Sequence, residues 1–400
     1  LGLVGIILGF FAIPLAFTQA TRVKVAYLAV IYLVHVAASI VYFWRAQDNL
    51  ADSALYYYDP FQTYEDGFSV GTQALVYITQ YIKNSVGGTY LDFYLLFQAI
   101  GFLGITILLR VFEEIHDELR LPHTPYLYAL IAIPSLHFWS SALGKDGPFL
   151  LATSLALWAS MRLPRRSKAL IGALLLMLLI RPHIALIAAA ALSLAVVVGK
   201  GIPVYLRILL FIVAVVGTGV AASTLESTYA IDITSTESIG QQFERRDNVL
   251  ESDEAGNSAV SGSFPVRLFS LMFRPLFFDA DEMFGMIASF ESVFLIFMMA
   301  VLLARARDVW GLFRRVFFAR YAFFFAFGMT IFLALSYWNI GLGLRQKWTM
   351  LMPMYLVLFV AVLAVRRAKR LSMAEMVPNA IGYRPVGGPR PAVQAPFATL

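Results

Sequence analysis

Cysteine is missing altogether from the 400 residues, and charge is scarce: 31 Lys and Arg with 25 Asp and Glu make up 14% of the chain. Without cysteine there is no disulfide scaffold, no thiolate metal site and no cysteine nucleophile. A charged fraction well under the roughly 25% of soluble domains, beside 60% hydrophobic residues, excludes a soluble enzyme and a disordered chain. Also lacking are a Walker loop, a dinucleotide fingerprint, a His-Glu-x-x-His motif and any nucleic-acid module. No internal repeat of the kind transporters often carry is visible. The net charge of +6 therefore asks for an explanation other than nucleic acid.

What is present is a series of apolar runs and a mean hydropathy of +0.73. Lipid demands that each crossing segment satisfy its own backbone hydrogen bonds, so such runs predict an all-α polytopic membrane protein rather than a β-barrel. Spans are expected near residues 1–17, 25–43, 91–109, 124–139, 147–161, 169–180, 184–199, 204–223, 283–304, 320–340 and 348–365, about eleven in all. Residues 1–17 are read as a span, not as a cleaved signal. Arg181-Pro182-His183 interrupts the apolar stretch 169–199 and divides it into a broken or re-entrant pair. Basic clusters at Arg162–Lys168, Arg305–Arg320 and Arg366–Arg370 then fall on one side, which the positive-inside rule makes cytoplasmic.

That topology leaves two long external loops, about 44–90 and 224–282, and loops of such length are usually functional. The first holds an amphipathic stretch, Thr72 to Ser85, suited to the membrane interface. The second carries eleven acids against four Arg, and its Gly/Ser/Asn-rich part, residues 255–263, is expected to be mobile. Residues 1–370 form a single transmembrane domain, and the Pro-rich tail 371–400 is expected to be disordered and cytoplasmic.

Charge retained at a membrane boundary is costly, and here it gathers on the external side. Asp52 opens Asp-Ser-Ala-Leu-Tyr-Tyr-Tyr, an acid placed to activate a hydroxyl with Tyr56 and its neighbours placed to stack on a sugar; the alternative is a helix N-cap. Lys145-Asp146 lies in a turn, where it could meet a phosphate or simply be solvated with Asp146 capping the next helix. Arg181 and His183 stand between half-spans, although Arg181 could also snorkel. Arg345 and Lys347 lie within a turn of each other at the external mouth of the last two spans, and a guanidinium there could grip pyrophosphate in bidentate fashion. Arg245 and Arg246 add positive charge to the second loop. Arg274 either joins them or pairs locally with Asp279, Asp281 or Glu282, and Glu291 is either paired in the core or catalytic. The combination suits a lipid-linked phosphate with a proton-accepting carboxylate.

Taken in order, these motifs resemble a known family. The acid-Tyr segment after an early span, Trp139-Ser-x-x-x-Gly-Lys-Asp146, Arg-Pro-His, Phe273-Arg-Pro275, and Asn339-x-Gly followed by Arg-Gln-Lys are similar to bacterial Wzy-type and EpsG-like polysaccharide polymerases. These share features with GT-C glycosyltransferases. The resemblance spans most of residues 45–355. It implies a GT-C-like fold in the bacterial cytoplasmic (inner) membrane, with the active face periplasmic. It also implies glycan transfer from a polyprenyl (di)phosphate-linked donor to an acceptor hydroxyl, and partners among membrane lipid and polysaccharide-export proteins. Asp52 would be the first-loop acid and Arg345, helped by Arg181, the pyrophosphate-binding arginine. From residue type and position, apart from the resemblance, Lys145, Asp146, His183, Arg245, Arg246, Arg274, Lys347 and Tyr56 are the further candidates to line the substrate. No particular cofactor is assigned, and dependence on a divalent metal stays open. A transferase adding a single sugar and a flippase for lipid-linked glycans are the competing readings.

Overall fold

In a computed structural model the chain is helical throughout the described residues, which are 1–199, 263–336 and 339–380 without 49, 50, 123, 281 and 282, together with the isolated positions 205, 208 and 212. The helices are α1 (Gly2–Ala12), α2 (Arg22–Asp48), α3 (Asp52–Tyr58), α4 (Thr72–Val86), α5 (Tyr90–Glu118), α6 (Tyr126–Ile131), α7 (Pro134–Ser140), α8 (Asp146–Met161), α9 (Leu163–Ile180) and α10 (Pro182–Val197). They continue as α11 (Phe264–Phe273), α12 (Met283–Ala304), α13 (Ala306–Arg315), α14 (Phe317–Ser336), α15 (Ile340–Gln346) and α16 (Met352–Ala380).

Five stretches among the described residues are long and apolar enough to cross a membrane: Arg22–Gln47, Tyr90–Glu118, Met283–Ala304, Phe317–Ser336 and Ile340–Ser372. Gly2–Ala16, Pro182–Val197 and Phe264–Phe273 are apolar but shorter. The chain is thus a helical membrane protein. The expected span at 124–139 is instead two short helices, α6 and α7, because Pro134 supplies no N–H and holds Ile133 extended (φ −64, ψ 122). Proline acts the same way at Arg181, which leaves helical geometry (φ −144, ψ 80) between α9 and α10. Helix α11 lies inside the stretch expected to be a loop, and α16 continues to Ala380. The span at 204–223, residues 255–262 of the Gly/Ser/Asn-rich segment and residues 381–400 fall outside the described residues, apart from the isolated positions.

Helix α5 is the axis, about 44 Å long at the usual rise per residue. Its start is fixed by a capping box between Thr89 and Asp92, and the other oxygen of Asp92 accepts the Gly2 N–H at 3.0 Å. Small residues let α8 approach closely. A side chain on Gly101 would overlap the Ser140 carbonyl, and a Cβ on Gly147 would come within 2.6 Å of that same oxygen. This contact pins the first turn of α8, and with it Asp146.

The described residues of the first long loop pack against the bundle. Ser53 in α3 lies 2.6 Å from the Tyr90 hydroxyl and 2.7 Å from that of Tyr94. Gln80 Nε2 of α4 donates to the Tyr56 and Tyr57 carbonyls (2.9 and 2.8 Å), closing the end of α3. The amphipathic stretch expected at Thr72–Ser85 is α4 itself.

Candidate functional site

Three chain reversals meet at one end of the bundle: the start of α3, the start of α8, and the break between α9 and α10. The end of α15 closes over them. Asp52 occupies the first turn of α3 without capping it, since Ala51 is the N-cap residue. Its carboxylate accepts from an Arg345 terminal nitrogen at 3.0 Å. Asp146, in the first turn of α8, accepts from Arg345 Nε on one oxygen (2.5 Å) and from Arg181 on the other (3.3 Å). The result is a row, Asp52–Arg345–Asp146–Arg181, that joins residues up to 293 positions apart.

Exposure grades along the row. The Asp146 side chain is 4% exposed and that of Asp52 55%, with the two arginines between them. The buried carboxylate is a fixed counter-charge for two guanidiniums, while the open one can change partner. Lys145 adds a third cation beside them, its Nζ donating to Thr72 Oγ1 at 2.5 Å. Burial first, then the nearby Arg181, lowers the Lys145 ammonium to about 8, against the raising pull of Asp52 and Asp146. The Gly71 N–H donates to the Leu179 carbonyl (2.7 Å), which ties the first loop to the end of α9.

Tyr56 is buried beside the Gly144 turn, and burial followed by the charge on Asp52 pushes its phenol well up, so it stays a neutral hydroxyl. His183 packs against Phe332 with the rings tilted and their centroids 5.3 Å apart, and its charge neighbours are Arg181 and Lys145. Sequence reasoning passed over Thr349, whose hydroxyl lies 3.5 Å from Asp146 and donates to the Arg345 carbonyl at 2.9 Å. It also passed over Tyr42, which shares an electrostatic neighbourhood with Arg345, Asp146 and Asp52. Neither carried a signal, because a threonine and a tyrosine inside apolar runs look like packing.

Two expected members lie elsewhere. Lys347 is fully buried, and its Nζ donates to the carbonyls of Met272 (3.3 Å) and Arg274 (3.1 Å), with Glu291 as the nearby opposite charge. Glu291 in turn accepts the Ser135 N–H at 2.7 Å. Arg345 and Lys347 are two positions apart and serve different clusters, because residues i and i+2 of a helix point roughly 160° apart; the π-helical turn Lys347–Leu351 follows directly on α15. Arg274 grips Asp279 through two nitrogens (2.8 and 2.9 Å), and that guanidinium holds the Asp279 carboxyl below its usual range. Arg245, Arg246 and Glu282 lie outside the described residues.

Among the described residues no three His, Asp or Glu gather as metal ligands. In the row two guanidiniums face two carboxylates, and Asp146 commits both of its oxygens to them. Comparison with family models, with curated proteins and with solved structures found no match to this chain.

Proposed function

We propose that the chain is a membrane glycosyltransferase of the polysaccharide-polymerase type, built as about eleven spans with a GT-C-like arrangement. It takes a glycan from a polyprenyl (di)phosphate-linked donor to an acceptor hydroxyl at the external face of the bacterial cytoplasmic membrane. The observation that carries this reading is the row Asp52–Arg345–Asp146–Arg181 at one end of the bundle, with Lys145 beside it. Three cations against two carboxylates leave the site one positive charge in excess, which favours a phosphate.

The chemistry follows from the grading of exposure. A donor phosphate competes with Asp52 for the outer nitrogens of Arg345, while Asp146 keeps hold of Nε. Release frees the Asp52 carboxylate, which takes the proton of the acceptor hydroxyl as that oxygen attacks the anomeric carbon. The bond from this carbon to the phosphate oxygen breaks, and its electron pair stays on the phosphate. Arg345 and Arg181 stabilise that growing charge in a partly desolvated place. Tyr42, half-buried near Arg345, supplies an aromatic and hydroxyl contact suited to a sugar, while the buried Tyr56 backs the row from behind.

The test is incubation of purified protein with lipid-linked repeat units. A ladder of products supports the polymerase, and one addition per acceptor assigns a single-sugar transferase. No product, with labelled lipid crossing the bilayer of proteoliposomes, assigns a flippase and overturns the proposal.

A further inference from the structure

A groove between α12 and α16, at the end of the bundle away from Asp52, plays no part in the proposed chemistry. The helices touch where Phe294 and Phe297 meet Phe359, with ring centroids 6.3 and 6.4 Å apart. Toward their C-terminal ends they part around a volume of about 710 Å³. The walls are apolar, with Phe297 on one side and Leu363 on the other, and the rim carries Arg305, Arg366, Arg367 and Arg370.

This rim is short of negative charge. Asp308 is the carboxylate beside it, and it is shared between Arg366 (3.6 Å) and Lys369 (2.7 Å). Among the described residues no carboxylate pairs with Arg305, Arg367 or Arg370. Positions 366, 367 and 370 share one side of a helix, so their guanidiniums repel unless an anion sits among them. A free phosphate would satisfy the rim but leave the apolar walls without an occupant. A phosphate carrying hydrocarbon satisfies both. Beside the groove, α13 presents Trp310, 58% exposed and stacked on Phe313, the kind of side chain that settles at headgroup depth.

We propose that this groove binds an anionic membrane phospholipid, its phosphate among Arg305, Arg366, Arg367 and Arg370 and an acyl chain along Phe297 and Leu363. Basic pockets between transmembrane helices are suited to such headgroups. The test is native mass spectrometry of the full chain released from nanodiscs holding phosphatidylglycerol and phosphatidylcholine in equal parts. Phosphatidylglycerol should be retained selectively. The double variant Arg367→Gln/Arg370→Gln should lose that selectivity by about 30-fold, the sum of two near-surface charges. Arg314→Gln/Arg315→Gln removes equal charge from α13 outside the groove and should keep it. Arg367→Lys/Arg370→Lys, which preserves charge, should retain part of it and so separates binding from misfolding. Equal retention of the two lipids overturns the proposal, as does equal loss in both Gln pairs. Displacement of the lipid by inorganic phosphate alone, or a preference for polyprenyl phosphate over phosphatidylglycerol, overturns it too.

Discussion

Ion pairs gather toward each end of the bundle that surrounds α5, and the two sets are built differently. At the Glu118 end, Glu114 accepts from Arg110 (2.8 Å), from Trp158 Nε1 (3.0 Å) and from two nitrogens of Arg166 (2.9 and 3.1 Å). Arg166 also covers the Trp158 ring at 3.9 Å. Glu113 holds Lys24 at 2.7 Å and the Thr18 N–H at 3.1 Å. Both glutamates are saturated and nearly inaccessible. At the Tyr90 end Asp146 is equally deep, but Arg181 Nε is buried without a hydrogen-bond partner and Asp52 is open to solvent. A cluster that closes on itself joins helices. One that keeps a spare donor and an accessible carboxylate can trade a partner for a ligand at little cost to the fold.

The sharpest way to break this contrast is to neutralise one acid at each end. Asp52→Asn should reduce transfer by about 100- to 10,000-fold with the melting temperature nearly unchanged, because it removes a proton acceptor and only one half-exposed ion pair. Glu114→Gln should do the reverse, costing about 3–5 kcal/mol of stability while the folded fraction keeps its turnover. Turnover and denaturation measured on both variants decide the matter, and a loss under tenfold for Asp52→Asn would make that residue structural. Next in size is Arg345→Lys, which keeps charge but loses the fork held between two carboxylates, and transfer at saturating donor should drop about 10- to 1,000-fold.

Lys347 sharpens the comparison from inside the bundle. Lys347→Met should lower stability by about 3 kcal/mol through the uncompensated Glu291, yet leave donor binding intact. Lys347→Arg should rescue little, since a larger head must enter a filled space. Weaker donor binding at full stability would move Lys347 back into the site. The smallest effect concerns Lys145. Its folded pKa lies below the ordinary lysine value, so the unfolded chain binds more protons between about 8 and 10.4, and stability should rise with pH across that window. Donor affinity should move the other way, weakening about fivefold as Lys145 loses its charge through pH 8. Binding titrations against pH should show that step in the wild type and not in Lys145→Arg.

Much of the helical layout was legible because apolar run length reports directly on helices that face lipid. The run 283–304 matches α12 to the residue, and the amphipathic period at Thr72 marks α4. Pro134 was the visible but underweighted signal at 124–139, where composition alone suggested a crossing. Asp52, Lys145, Asp146, Arg181 and Arg345 stood out as charges beside apolar runs, and all five gather at one end of the bundle. Their pairing was not readable, since Arg345 meets Asp52 across 293 positions through tertiary packing alone. Lys347 was misplaced for a local reason: nearness to Arg345 in the sequence suggests one site, but residues two apart on a helix point to nearly opposite sides.

That π-turn, Lys347–Leu351, means that the aim of the arginine is set by a residue count as well as by residue identity. Closing that turn to ordinary α-helical bonding with every residue kept would rotate α15 by roughly 100° against α16 and sweep Arg345 off Asp146, whereas losing one residue along with the turn leaves the two helices in phase. A descendant chain could therefore lose the turn and one codon together and keep the aim of this site, a route of change that surveys of point substitutions would never register.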